Sequence, residues 1–164
     1  MSGCDWHKMV WHKRHSIKHS VFTWLALMGG LKTANALQMR NIPAPKTCSL
    51  CNAQDETVAH LYFECCYSFN ILCALIPGMH RFLLRPNILQ VFEWLTVAFK
   101  DTPALLNFYL LICGCVIYSI WKEKNSRHFW NSIMSHTSLL LSIKRIIFEK
   151  VMRWGNSMEL LDRL

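Results

Sequence analysis

The chain has 164 residues, with 18 Lys and Arg against 10 Asp and Glu, 8 His, 8 Cys, 52% hydrophobic residues and only 17% charged ones. That length suits one ordinary domain, or a small module with a helical partner. The composition excludes a disordered chain, which needs low hydrophobicity and high charge, and 5 Pro and 6 Gly without a period exclude collagenous or low-complexity classes.

From Met1 to Ser20 the chain carries His7, Lys8, His12, Lys13, Arg14, His15, Lys18 and His19 with no continuous apolar run. A secretory signal is therefore not expected, and the chain reads as intracellular, in nucleus or cytoplasm. In that setting the cysteines are reduced thiols or metal ligands rather than a disulfide framework. Lys8, Lys13, Arg14 and Lys18 are interleaved with Trp6, Trp11 and Trp24. Such a segment could meet phosphates of RNA or DNA and stack on unpaired bases. The competing reading is a solvated basic face with its tryptophans packed inward. Cys4 and the nearby histidines could bind metal only adventitiously, since no C-x2-C or acidic partner fixes them.

Charge divides the chain into three regions. Residues 1–46 hold 7 basic and 1 acidic side chains, residues 47–66 hold 3 acidic and no basic ones, and residues 67–164 hold 11 and 6. In the first region a short helix is expected over Val21–Met28, opened by Ser20 and stopped by Gly29 and Gly30. Thr33 caps a second helix to Arg40, and Ile42-Pro43-Ala44-Pro45 enforces an extended segment. In the third region Leu89, Val91, Phe92, Leu95 and Phe99 recur at helical spacing. Ala104 to Trp121 then passes eighteen residues without a formal charge. That length is the lower limit for crossing a bilayer core of about 30 Å. Asn107, Gly114 and Ser119 lower its hydrophobicity, which favours a helix buried against other apolar helices over a membrane segment. A last helix is expected from about Ser135 to Trp154, ended by Gly155 and Asn156.

The acidic middle carries the chemistry. Cys48 and Cys51 are separated by two residues, His60 follows after eight more, and Cys65 after a further four. Two thiolates at that spacing sit on one tight turn and make half of a tetrahedral site, with His60 and Cys65 supplying the other half. Thr57 can cap a helix through Tyr62, and fraying near its end would bring His60 and Cys65 to one side. Four such ligands leave no position for water, so the site is that of a structural zinc rather than a catalytic one. Cys66 could substitute for Cys65. The competing reading is a set of buried cysteines with a core histidine. Cys73, Cys113 and Cys115 lie in apolar surroundings and read as small core hydrophobes.

Enzyme chemistry is poorly supported. No G-x-S-x-G, G-x-x-x-x-G-K-[ST] or H-E-x-x-H occurs. Asp5, Asp55, Asp101 and Asp162 are widely spread, whereas a metal-dependent polymerase needs clustered aspartates to hold two cations.

Trp11 to about Trp94 resembles the zinc-binding domain that follows the reverse transcriptase core in plant LINE-type (non-LTR) retroelements and genes derived from them. The matching residues are Trp11; Lys18-His19-Ser20-Val21-Phe22 with Trp24-Leu25-Ala26; Leu31-Lys32-Thr33 and Leu37; Cys48-Ser49-Leu50-Cys51; Glu56; His60-Leu61-Tyr62-Phe63-Glu64-Cys65; and Ser68. Ile117-Tyr118-Ser119-Ile120-Trp121-Lys122-Glu123-Lys124-Asn125, with Arg127 and Phe129, is similar to the family's following segment. Gly30, Asn35-Ala36 and Lys124 depart from its pattern, and Lys cannot reproduce the bidentate contacts of Arg. The resemblance implies that Cys48, Cys51, His60 and Cys65 hold zinc. It also implies a retroelement-derived module, ancestrally a partner of the reverse transcriptase core, that grips nucleic acid.

The expected fold is mostly α: a small zinc-stapled helical module over residues 1–76, followed by a helical C-terminal region over residues 77–164. The expected function is non-catalytic nucleic-acid contact, with a protein-interaction or membrane-associated helical protein as the alternative.

Overall fold

The structure, a computed structural model, describes residues 5–164. Helices dominate it: α1 (Trp6–Val10), α2 (Ile17–Leu27), α3 (Ala34–Gln38), α4 (Cys66–Leu75), α5 (Ile88–Ala98), α6 (Pro103–Trp130), α7 (His136–Val151) and α8 (Ser157–Leu161). Among the described residues no strand forms, and one antiparallel bridge joins Thr47 to Asp55.

The long helix α6 is the axis. Every residue from Phe108 to Ile117 is buried, and α1, α2, α4, α5 and α7 all pack on it. It is the one helix long and apolar enough to cross a membrane among the described residues, and 67% of its apolar window is buried inside this fold. Gly114 lets α2 approach closely: a Cβ there would stand 3.3 Å from the Cβ of His19. The buried residues form one cluster from Val10 to Leu160, so the helices before and after residue 76 share a core.

Several boundaries differ from the sequence expectation. Helix α2 starts at Ile17, with Ser16 in the N-cap position. Ser20 lies inside the helix, buried, and its hydroxyl donates to the Val10 carbonyl at 2.7 Å, which ties α1 to α2. Thr33 does cap α3, accepting from the Ala36 amide. Helix α6 runs nine residues beyond Trp121 into a charged stretch. That extension persists because Glu123, Lys124 and Arg127 find partners outside the helix, as the site below shows. Helix α7 begins where expected, with Ser135 accepting from the Ser138 amide. The readings placed on Cys4 lie outside the described residues.

Candidate metal centre

Two short pieces of backbone deliver the four candidate ligands. In the first, the Cys48 amide donates to the Gln54 carbonyl at 2.8 Å and the Glu56 amide to the Lys46 carbonyl at 2.7 Å, closing a narrow ribbon. At its tip the Asn52 amide returns to the Cys48 carbonyl at 2.9 Å, with Asn52 left-handed at φ 54°. Asn tolerates that region better than most residues. The ribbon is thus the hairpin-like turn that the Cys48 to Cys51 spacing suggested.

The second piece begins as the expected capped turn: the Thr57 hydroxyl accepts from the His60 amide at 3.0 Å. It does not continue as a helix. Tyr62 sits at φ −105°, ψ 85° and Phe63 at φ 89°. A five-residue step along a regular helix would set His60 and Cys65 about 140° apart around the axis. The break at Phe63 removes that problem, letting the Cys65 amide close back on the His60 carbonyl at 2.7 Å. A left-handed Phe costs on the order of 1–3 kcal/mol and persists only where its surroundings fix it. Here the Phe63 side chain is fully buried, and its amide donates to the Ser68 hydroxyl at 3.1 Å. Ser68 in turn donates to the Cys65 carbonyl at 3.2 Å. Cys65 itself stands at the N-cap of α4.

The donor atoms of Cys48, Cys51, His60 and Cys65 all lie within 4.8 Å of one another. Among the described residues this is the one cluster of three or more His, Cys, Asp or Glu that could hold a metal ion. A tetrahedron of zinc–sulfur bonds near 2.3 Å has edges of about 3.8 Å, so slight contraction closes the set. His60 Nε2 is already 3.3 Å from the Cys51 sulfur. Cys48, His60 and Cys65 are buried and Cys51 is half-buried. Cys66 is exposed, and its sulfur is not part of the cluster.

Thiolate formation is favoured at one end of the group. Cys48 is brought down to about 5, first by its hydrogen bond with Cys65, with help from the Cys51 and Leu50 amides and from His60, against burial. Cys65 moves up because it holds the shared proton and is buried. A metal that takes both sulfurs displaces that proton. By contrast Cys113 and Cys115 are raised by burial, the latter to about 12, as inert core thiols should be.

The C-terminal region reaches into the site. From α6 the Arg127 guanidinium donates to the Ser49 and Leu50 carbonyls at 3.0 and 3.3 Å. The same group pairs with buried Glu123 at 2.7 Å and lies over the Tyr67 ring. One turn earlier, Lys124 pairs with Glu56 at 3.2 Å, both side chains nearly fully buried, and donates to the Lys32 carbonyl. Glu56 Oε1 also accepts from the Ala34 amide at 2.9 Å. Sequence reasoning quoted Glu56, Lys124 and Arg127 as motif residues without finding these roles. The spacing of three between Lys124 and Arg127 on one helix was the available signal, but nothing local shows partners some 70 positions away.

Of the residues placed at a nucleic-acid surface, Lys8 is exposed and pairs with Asp5 at 2.7 Å. Lys13 is exposed, and Trp11 packs against the core. Arg14 lies over the Trp154 ring at 4.8 Å and Lys18 over the Tyr118 ring at 4.1 Å.

Fold and site together define a helical module built around a three-cysteine, one-histidine cluster that could hold a metal ion. Residues 2–71 match the family described as zinc-binding in reverse transcriptase. The matched stretch contains all four residues of the cluster. No curated protein and no solved structure matches the chain.

Proposed function

We propose that the chain is a non-catalytic, retroelement-derived module that binds one structural zinc through Cys48, Cys51, His60 and Cys65 and contacts nucleic acid inside the cell. The observation that carries this reading is the convergence of three sulfurs and one imidazole nitrogen within 4.8 Å, in a chain whose residues 2–71 match the zinc-binding family. Bound there, zinc supplies four ligand bonds that cross-link the ribbon tip to the start of α4 and exclude a fifth, reactive position. The chain's own residues prepare that cross-link. Phe63 sets the bend, Ser68 holds it, and Arg127 fixes the carbonyl side of the Cys48–Cys51 turn. Three thiolates and a dication leave a net charge of about −1, and the Arg127 guanidinium supplies a counter-charge.

The rival reading, a membrane-associated helix, has the length and apolar content of α6 in its favour. It would require exposing the residues that α2, α4, α5 and α7 now cover, so the soluble module is preferred. Metal analysis of purified protein should find about one zinc per chain, falling below about a tenth in a Cys48→Ser, Cys51→Ser double variant. Full zinc content in that variant would overturn the ligand set.

A further inference from the structure

A cleft of about 440 Å³ opens where the amino end of α2 meets the carboxyl end of α7. Arg14, Lys18, Lys150 and Arg153 line it from two walls, with Glu149 as its one carboxylate. None of the four cations has a carboxylate within ion-pair distance, since the pairs among the described residues are Lys8–Asp5, Lys124–Glu56 and Arg127–Glu123. Unpaired cations converging on a concave surface repel one another, an arrangement that an anion relieves.

The α2 end adds donors. Ser16, in its N-cap position, makes no side-chain capping bond to the backbone amides of the helix. Its hydroxyl instead accepts from the Lys150 ammonium at 2.9 Å and contacts His19 Nδ1 at 3.0 Å. The first amides of α2 are thereby left without a side-chain acceptor beside the cleft, where the helix end favours negative charge. His19 is held down to about 4, by burial first and then by Lys150 and Lys18, so it contributes no charge at neutral pH. Trp154 and Tyr118, carrying Arg14 and Lys18 on their rings, hold the cations in place.

We propose that this cleft binds the phosphodiester backbone of a nucleic-acid strand. A volume of this size takes a nucleotide-sized group, and cations on two facing walls suit a strand running between them better than a flat lipid surface. The site is separate from the metal centre. Arg127 and Tyr67 contact Met134, just before α7, and the cleft lies at the other end of that 16-residue helix, about 24 Å along it. The inference rests on the nucleic-acid reading above and adds where the strand lies. It also adds Lys150 and Arg153, which charge patterning in the first region could not reveal.

The test uses the full zinc-loaded chain and labelled uridine and thymidine oligomers of about 15 nucleotides. Lys18 and Arg153 are exposed and stand on opposite walls, so Lys18→Glu, Arg153→Glu should fold. The control, Lys46→Glu, Lys100→Glu, makes the same change in net charge at exposed positions outside the cleft. The expected result is at least about tenfold weaker oligomer binding for the cleft pair, with a log–log salt slope shallower by about 2, and less than about threefold loss for the control. Oligomer binding that falls equally in both pairs overturns the cleft while leaving nucleic-acid contact standing. No oligomer binding by the unaltered chain overturns both. Binding of inorganic pyrophosphate or phosphatidylserine vesicles, lost in the cleft pair, with no oligomer binding would make this a different anion site and overturn the proposal.

Discussion

Between Lys46 and Cys65 the backbone keeps no regular element for long, and its conformation is fixed by a ribbon tip, a capped turn and a left-handed Phe63. From Phe108 to Ile117, by contrast, ten consecutive residues are buried in one helix whose backbone hydrogen bonds are local. The first region is specified by directional chemistry at a few atoms, and the second by apolar area around a whole helix. A change at a ligand should therefore act in an all-or-none manner on the first, while trimming the second costs stability in proportion to the volume removed. The charged end of the same helix meets the metal loop at two points, the buried pair of Glu56 and Lys124 and the Arg127 guanidinium on the Ser49 and Leu50 carbonyls.

Breaking that junction is the largest expected effect. Glu56→Ala leaves Lys124 buried without its counter-charge and the Ala34 amide without its acceptor. Removing one partner of a buried pair costs about 3–5 kcal/mol, more than the pair itself contributes. Denaturant unfolding of the zinc-loaded protein should show a loss of that order, with zinc content still about one per chain. Adding Lys124→Met should recover much of it. A loss under about 1 kcal/mol in the single variant would mean that the Glu56–Lys124 pair does not hold the metal loop to α6, leaving that task to Arg127.

How the sequence foreshadowed these regions follows the same division. The ligand spacing was readable because it is local: two thiols three positions apart on a turn, and a capped histidine shortly after. The long helices were readable from apolar periodicity and from Pro, Gly and Ser punctuation. What stayed hidden was what depends on distant partners. Ser20 looked like a cap because it precedes an apolar run, yet its hydroxyl serves Val10 and the helix begins at Ile17. The uncharged stretch stops at Trp121, yet the helix runs on because Glu123, Lys124 and Arg127 are satisfied by residues near positions 32, 49, 56 and 134. The break at Phe63 was foreseen only as fraying, because a bulky residue gives no local sign of a left-handed backbone.

Acid sharpens the comparison on the α6 side. His12 and His19 are buried and lowered to about 4, both chiefly by burial, His12 then by His15 and His19 by Lys150 and Lys18. As the pH falls below about 6.5 the unfolded chain takes up protons on these rings while the folded chain does not until about 4. The stability they contribute is thus complete above 6.5 and is lost through that window, by about 2 kcal/mol per ring at pH 5. Imidazole proton shifts followed by NMR should show both rings neutral at pH 5.5. A midpoint above 6 for either ring would mean that it is not packed where α1, α2 and α6 meet.

The smallest effect probes how the metal loop tolerates imperfect packing. Tyr62 is fully buried, its hydroxyl has no partner, and its ionisation is pushed up by burial and by Glu56. An unsatisfied buried hydroxyl costs about 1–3 kcal/mol, so removing it can be neutral or stabilising where removing a bonded one would destabilise. Tyr62→Phe should leave zinc content unchanged and raise stability by up to about 1 kcal/mol in denaturant unfolding. A loss above about 1 kcal/mol would place a partner on that hydroxyl, with Glu56, whose charge acts on Tyr62, the first candidate. The loop would then be held by a polar network as complete as the one Glu123 and Arg127 make on α6. Neutrality or a gain would show instead that ligand geometry fixes this loop so strongly that one of its buried polar groups can go unpaired.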